Sequence, residues 1–313
     1  MLKAIVLGAA AGGGFPQWNS AGPGCRRARA GDPAAPARTQ ASLAVSGDGG
    51  CRWVLLNASP DLPAQLRATP ALHPRPEGDA VRHSPIAAVV LTGAEVDTVA
   101  GLLSLRERHA FALYGAEPSL AVLRENPIFG ALDPGLVPRR PLPLGEAFEL
   151  RDAAGEGLGL RAEAFPVPGK VPLFLEAGGE DPGRSDAGET VGLRLSAGEG
   201  GDALFFVPGC AAMTGDLRER LRGAACVLFD GTLWRDDEML RARAGTKTGA
   251  RMGHMSVDGP SGTLAAFAGL GVRRRVLIHI NNTNPVLLAD SPERAAVEAA
   301  GWEVASDGME LRV

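Results

Sequence analysis

The run AAVVLTGAEVDTVAGLLSLRE, residues 87–107, decides the fold. Ala87 to Leu91 are apolar, a polar loop follows, and apolar periodicity resumes at Val99. A short unbroken apolar run closed by a loop reads as a strand buried on both faces, and the pattern beyond it as a helix over 99–108. In α/β proteins such strands deliver chemistry to the loops at their carboxyl ends. This loop offers Glu95, Asp97 and Thr98 as its polar side chains. They fit a metal site short of ligands, a carboxylate pair with another task, or a helix capped by Asp97.

Outward from this unit, further strands are read at 2–7, 42–45, 53–57, 111–114, 160–165, 191–195, 203–207, 226–229, 275–280 and 302–304. Helices are placed by their start signals. SPDLPAQL puts Ser59 at an N-cap with Pro60 first in the helix, and SPERAAVEAAG repeats the device at Ser291 and closes on Gly301. Other helices are expected at 118–125, 216–222, 236–243 and 262–270. Many strands follow one another with no helix between, which excludes a TIM barrel and suits two sheets covered outside by helices. The Pro/Gly-rich stretches 21–38, 127–145 and 176–188 read as surface loops. With no repeat and no clean linker, residues 1–313 are expected to form a single α/β domain.

The composition is 45% apolar and 22% charged with a net charge of −4, and Lys and Arg are scattered, so neither nucleic acid nor membrane is an expected partner. The start MLKAIVLGAAAGGG superficially resembles a signal peptide. Its apolar part is short and β-branched and runs at once into glycines, so a first strand is the better reading. Cys25, Cys51, Cys210 and Cys226 stand far apart without a CxxC pair, which points to reduced thiols and a cytoplasmic location. In the glycine run at 8–14 the G-x-G-x-x-G spacing is absent and Pro16 stands where a helix would begin, favouring a close-packed turn over a dinucleotide site.

Five strands carry a polar or soft residue at their carboxyl ends: Asp61, the Glu95/Asp97 pair, Cys210, Asp230 and His279. Each alone has an ordinary structural reading. Together they outline one mouth, where histidine with carboxylates suggests a divalent metal. His254 lies in a glycine-rich loop near Lys247 and Arg251, where it is either solvated or functional. Asn281 to Pro285 either fixes a ligand or turns the chain. His73, His83 and His109 receive no role.

The order of these pieces resembles the metallo-β-lactamase fold and, within it, the pyrroloquinoline quinone (PQQ) biosynthesis protein B family. The resemblance runs through the glycine-rich GFPQWN segment, ARTQASLAVS, LLNASPDLPAQL, VDTVAGLLSLRE, VPGC, LFDGTLWRDDEM, GTKTGARMGH, IHINNTNP and the closing DSPERAAVEAAGWEVASDGMEL. It implies a four-layer αββα sandwich, two mixed sheets flanked by helices, with the site on one edge. The fold's hydrolases read T-H-x-H-x-D-H-x-x-G where this chain has Thr92 to Gly101, so the histidines are gone and Asp97 stays. Lys170 stands at the P-G-H ligand position, Cys210 at the bridging aspartate, and His279 is kept. A two-zinc hydrolase is therefore not expected.

The PQQ family implies an Fe(II) site of one Asp and two His, and O2-dependent hydroxylation of the tyrosine in a Glu-Tyr unit cut from a peptide. Here Thr98 replaces the expected His, so Asp97 and His279 would bind metal with Glu95 or His254 as third donor. Asp230 and Asp61 would stand behind the ligands. Lys247, Arg251, Asn281 and Asn282 would hold substrate carboxylates. The rival readings are a metal-poor paralogue that binds PQQ or its precursor, or carries it to the periplasm, and a metal-dependent hydrolase. The family's structural-zinc cysteines become Ser20 and Gly22 beside Cys25, so no structural zinc is expected. That loop is then expected to be held by packing through Trp18 and Pro23. A homodimer is compatible with this reading.

Overall fold

The computed structural model describes residues 1–75, 78–176, 188–198 and 201–313. Chain order gives β1 (Lys3–Gly8), β2 (Ser42–Ser46), β3 (Trp53–Leu56), β4 (Ile86–Val90), β5 (Ala112–Gly115) and β6 (Arg139–Pro141). Then follow β7 (Ala147–Arg151), β8 (Gly157–Pro166), β9 (Val191–Ser196), β10 (Ala203–Val207), β11 (Cys226–Asp230), β12 (Arg274–Ile278), β13 (Glu303–Val304) and β14 (Glu310–Arg312). They form two seven-stranded mixed sheets, ordered β14-β1-β2-β3-β4-β5-β6 and β13-β12-β11-β10-β9-β8-β7. Strands β3 to β6 run parallel, as do β10 to β13.

Side-chain alternation along the strands builds three apolar layers. Leu43 and Val45 of β2 point between the sheets with Leu56, Val90, Leu193, Leu204, Phe206 and Leu228. Ala44, Leu55, Val89 and Leu113 face outward, onto Leu62 of α2 (Leu62–Ala68) and Leu120 of the helix Glu117–Glu125. On the other sheet Phe205, Val207, Val227 and Phe229 meet Leu217, Phe267, Val297 and Trp302. Helix, sheet, sheet, helix is the resulting order of layers. Strands buried on both faces leave their polar residues at the ends, and those ends make the rim of the site.

Several local expectations change. Helix α2 starts at Leu62, not Pro60, and Asp61 is its N-cap residue without a side-chain cap. The Ser59 hydroxyl instead donates to Gln65 Oε1 at 3.1 Å. The helix expected at 99–108 begins at Val96, runs as α3 to Val99 and tightens into a 3₁₀ stretch from Ala100 to Leu105. Asp97 therefore sits inside its first turn rather than capping it. Ser291 does cap its helix, Pro292–Ala299, accepting from the Arg294 N–H at 3.0 Å.

The stretch 21–38 holds the helix Pro23–Arg29, which we label α1, and 127–145 holds a 3₁₀ turn and β6. Most of the third loop, 177–187, lies outside the described residues. The glycine run is a packed turn: Ala10 bridges to Gln40 and to Ile280, joining the two sheets. Trp18 does not hold the neighbouring loop, being 85% exposed, and Pro23 is exposed too. Arg29 does so instead, donating to the carbonyls of Ser20 and Gln17, while buried Cys25 approaches Asn282 Oδ1 at 3.5 Å. Among the described residues no helix is long and apolar enough to cross a membrane.

Candidate metal centre

The loop after β4 is fixed before it reaches Asp97. Asn57, in the left-handed region at φ 63°, accepts the Thr92 N–H at 2.9 Å and also meets the Thr92 hydroxyl. The Ala58 N–H donates to Thr98 O and the Gly101 N–H to Ala58 O, both at 2.8 Å. The backbones approach so closely there that a Cβ on Gly101 would stand 2.1 Å from Ser59 O. The Thr98 hydroxyl turns inward on its own loop, within 2.7 Å of Glu95 O and 3.2 Å of Gly93 O. Its hydrogen is committed to backbone, and Asp97 is presented on a rigid turn.

Opposite stands His279, directly after β12, with φ 58°. A non-glycine residue held there stores backbone strain, a feature that clusters at functional sites. Its Nε2 is 2.9 Å from Asp97 Oδ2 and its Nδ1 2.9 Å from the Thr232 hydroxyl. Burial works against charge on either partner. The hydrogen bond and the Asp97 carboxylate nevertheless hold the His279 imidazole above its ordinary pKa, with help from Asp230 and Glu95. Despite its own burial, Asp97 is held below the usual carboxylate range by the same hydrogen bond and by the His279 charge. Each partner therefore favours the charged form of the other.

At the floor lies Asp230, the last residue of β11, with no solvent exposure. One oxygen accepts the Cys210 N–H at 2.8 Å and faces His254 Nδ1 at 2.7 Å. The other accepts the Thr232 N–H at 2.9 Å and meets its hydroxyl at 2.7 Å. A carboxylate so placed fixes the proton of His254 on Nδ1 and leaves Nε2 as a lone-pair donor. The His254 and His279 rings stack with centroids 5.2 Å apart. One ligand atom from each of Asp230, His254 and His279 lies within 4.8 Å of the others. Two imidazoles and two carboxylates, Asp97 and Asp230, therefore converge. The donor set fits a divalent transition metal, which would take the place of the proton between His279 and Asp97.

The remaining sequence candidates fall at graded distances. Glu95 lines the same cavity but is engaged by Lys170 Nζ at 2.8 Å and by the Leu173 N–H at 3.2 Å. His254 rather than Glu95 is the group beside His279. Lys247 and Asn281 line the cavity, whose volume is about 870 Å³. Arg251 is exposed on the turn Ala250–Met252 and Asn282 bonds to Gln17 and Asn281, and neither is among the lining residues. Asn284 turns the chain, accepting from the Val286 N–H and donating to Gly231 O. Asp61 stands behind Gln40, accepting from its backbone N–H and its Nε2, each at 2.9 Å. Gln40 in turn accepts the Gly13 N–H at the cavity wall. Burial first, then the Asp230 charge, pushes the Cys210 thiol up to about 12, so without a metal it is a neutral thiol at neutral pH.

Sequence reasoning missed Thr232, which touches both histidines, and the Asn57–Thr92 clamp. The signal for Thr232 was its place two residues beyond Asp230, where an Asp side chain takes the backbone N–H of a turn.

The Beta-lactamase superfamily domain matches residues 52–280. Coenzyme PQQ synthesis protein B of Gluconacetobacter diazotrophicus is 61% identical over 99% of both chains. That of Gluconobacter oxydans is 54% identical, covering 100% of this chain and 99% of its own. The crystal structure of Zn²⁺-bound PqqB from Methylobacterium extorquens superposes with a TM-score of 0.92 at 49% identity, over 99% of this chain and 100% of that one. A diphosphatase of the PhnP family, 20% identical with a TM-score of 0.66 over 100% of this chain and 98% of its own, shares the fold. The chain belongs to the coenzyme PQQ synthesis protein B family of the metallo-β-lactamase superfamily.

Proposed function

We propose that this protein acts in PQQ biosynthesis as a non-heme Fe(II)- and O2-dependent hydroxylase of the tyrosine in a Glu-Tyr unit. The observation that carries the reading is the convergence of His254, His279 and Asp97 in one cavity, with Asp230 buried behind them, in a family member matched end to end. His279 and Asp97 would hold the metal, with His254 as third donor in place of the absent residue-98 imidazole. A ferrous ion so bound supplies the one-electron chemistry that O2 requires.

The chain's own groups do the rest. Asp230 keeps the His254 proton on Nδ1, and Thr232 holds the His279 ring through its Nδ1. Lys247 and Asn281 stand on the wall where a carboxylate of the substrate would lie. Overall one oxygen atom enters a ring C–H bond and the other leaves as water, with two electrons and two protons from a small-molecule reductant.

Anaerobic Fe(II) titration, followed by O2, a reductant and the Glu-Tyr peptide, tests this. Stoichiometric iron uptake and ring-oxidised product are expected; the absence of both would sink the proposal. One observation favours a second reading, a binding or carrier protein for PQQ or its precursor. Thr98 stands where the family has His, and its hydroxyl is spent on the loop backbone. Tight binding of a PQQ precursor by metal-free protein, with no turnover, would select that reading.

A further inference from the structure

Two lysines from distant parts of the chain line the same cavity wall, and a carboxylate of the protein's own lies between them. Lys170 Nζ is 3.0 Å from one oxygen of Glu176, and Lys247 Nζ is 2.5 Å from the other. Lys170 also holds Glu95, so the wall carries the alternation Glu95–Lys170–Glu176–Lys247. The two carboxylates are not held alike. Glu95 is tied into the fold by the Leu173 backbone as well as by Lys170. Among the described residues the Glu176 carboxylate is held by the two ammonium groups, whose hydrogen bonds keep it below the usual carboxylate range.

The turn that delivers Glu176 is tied to the wall through the Leu173 N–H on Glu95. Leu173, Phe174 and Leu175 are 59%, 50% and 49% exposed, so this segment is not seated by burying apolar side chains. Lys170 is 14% exposed and the site lies in the cavity that contains Asp97, His254 and His279. A pair of ammonium groups half out of water, bridged by one carboxylate, is a preformed receptor for a carboxylate.

We infer that Lys170 and Lys247 form a carboxylate-binding subsite of the cavity, in which Glu176 is a resident occupant displaced by the carboxylate of the incoming ligand. The ligand class is a small molecule that presents a carboxylate at the lysine pair and its reacting part at His279. The identity of that ligand rests on the function proposed above; the subsite itself does not. Exchange of one carboxylate for another leaves the charge balance of the wall unchanged, so a neutral ligand cannot compete for it. Selection among ligands follows from that difference.

Calorimetric titration of the metal-free full-length protein tests the inference with two probes, glutarate and glutamyl-tyrosine amide, and glutaminyl-tyrosine amide as the neutral control. Glu176→Gln removes the occupant and is expected to tighten both carboxylate probes about tenfold while leaving the control unchanged. Lys247→Gln on that background is expected to abolish the gain. Unchanged or weaker binding of the carboxylates by Glu176→Gln would overturn the subsite and make Glu176 a structural brace. Iron-dependent oxidation of the Glu-Tyr peptide together with that result would leave the hydroxylase reading standing, so the two ideas fail separately.

Discussion

Replacing Asp230 by Asn tests whether the floor of the site is a charge-dependent hub or ordinary strand-end packing. The carboxylate is fully buried and takes four contacts: the N–H groups of Cys210 and Thr232, the Thr232 hydroxyl and His254 Nδ1. All four can donate, and an ionised carboxylate is acceptor-only. An amide of the same size accepts on one side and offers its own hydrogens on the other. Turned one way it opposes Cys210 and His254; turned the other way it opposes Thr232. Either way a buried backbone N–H loses its acceptor, at about 1–3 kcal/mol, and a second donor is crowded. The sum predicts a loss of about 2–4 kcal/mol in unfolding free energy, read as an earlier urea midpoint with unchanged slope.

The same variant releases the His254 proton from Nδ1. With the tautomer no longer fixed, metal affinity is expected to fall by about 10–100-fold, the range for groups that orient a ligand from behind. Competition with a chromophoric chelator measures this on the folded fraction. A stability loss under about 0.5 kcal/mol, joined to unchanged metal affinity, would refute the reasoning at both levels.

Other perturbations probe other parts. Thr98→His places an imidazole beside Asp97 and is expected to tighten Fe(II) binding; equal affinity in the same chelator competition would break the correspondence drawn for this loop. Glu238 is raised from 4.5 to about 7, chiefly by burial, with Thr283 and the Trp234 N–H pulling the other way. The native state therefore holds that proton more tightly than the unfolded chain, so stability falls as pH rises from about 4.5 to 7, by about 3 kcal/mol, and then levels. Glu238→Gln should remove this slope from urea midpoints measured across the window, and an unaltered slope would assign it elsewhere. Ser291→Ala deletes a cap that also donates to Pro285 O at 2.8 Å, and should cost about 1 kcal/mol by the same denaturation assay. A change within error would mean that the Arg294 N–H finds water instead.

What the sequence disclosed follows burial. Strands covered on both faces, such as Ala203–Val207 and Cys226–Asp230, stand out as apolar runs and were legible almost to the residue. Arg139–Pro141, Ala147–Arg151 and Glu310–Arg312 were missed, and all three are edge strands. An edge strand shows water one side and carries charge there, so its apolar signal is diluted. Helix starts failed where a side chain had a better partner than the helix: Ser59 turned to Gln65 and Asp61 to Gln40. At the site the strand-end residues Asp97, Asp230 and His279 were visible one by one. The pairing of their neighbours was not, because Lys170 and Glu95 are 75 residues apart and only the assembled sheets bring them together.

The loop at 92–98 also explains how a metal-ligand turn can lose its histidines and keep its shape. In this chain the turn is held by backbone groups and by the hydroxyls of Thr92 and Thr98, none of which depends on a metal. Asp97 is held by His279 from the opposite sheet, so the two candidate ligands also brace each other. A site built this way has a lower cost for losing a ligand on the loop, since the loop does not unfold with it. It shifts the demand for nitrogen to the far wall, where His254 is already oriented by Asp230. Metal selectivity should then be set by the rigidity of β11 and of the glycine-rich segment carrying His254, not by the turn after β4. A substitution that loosens Gly249 or Gly253, whose backbones pack against His254 O and Lys170, should therefore weaken metal binding without disturbing the loop that names the fold.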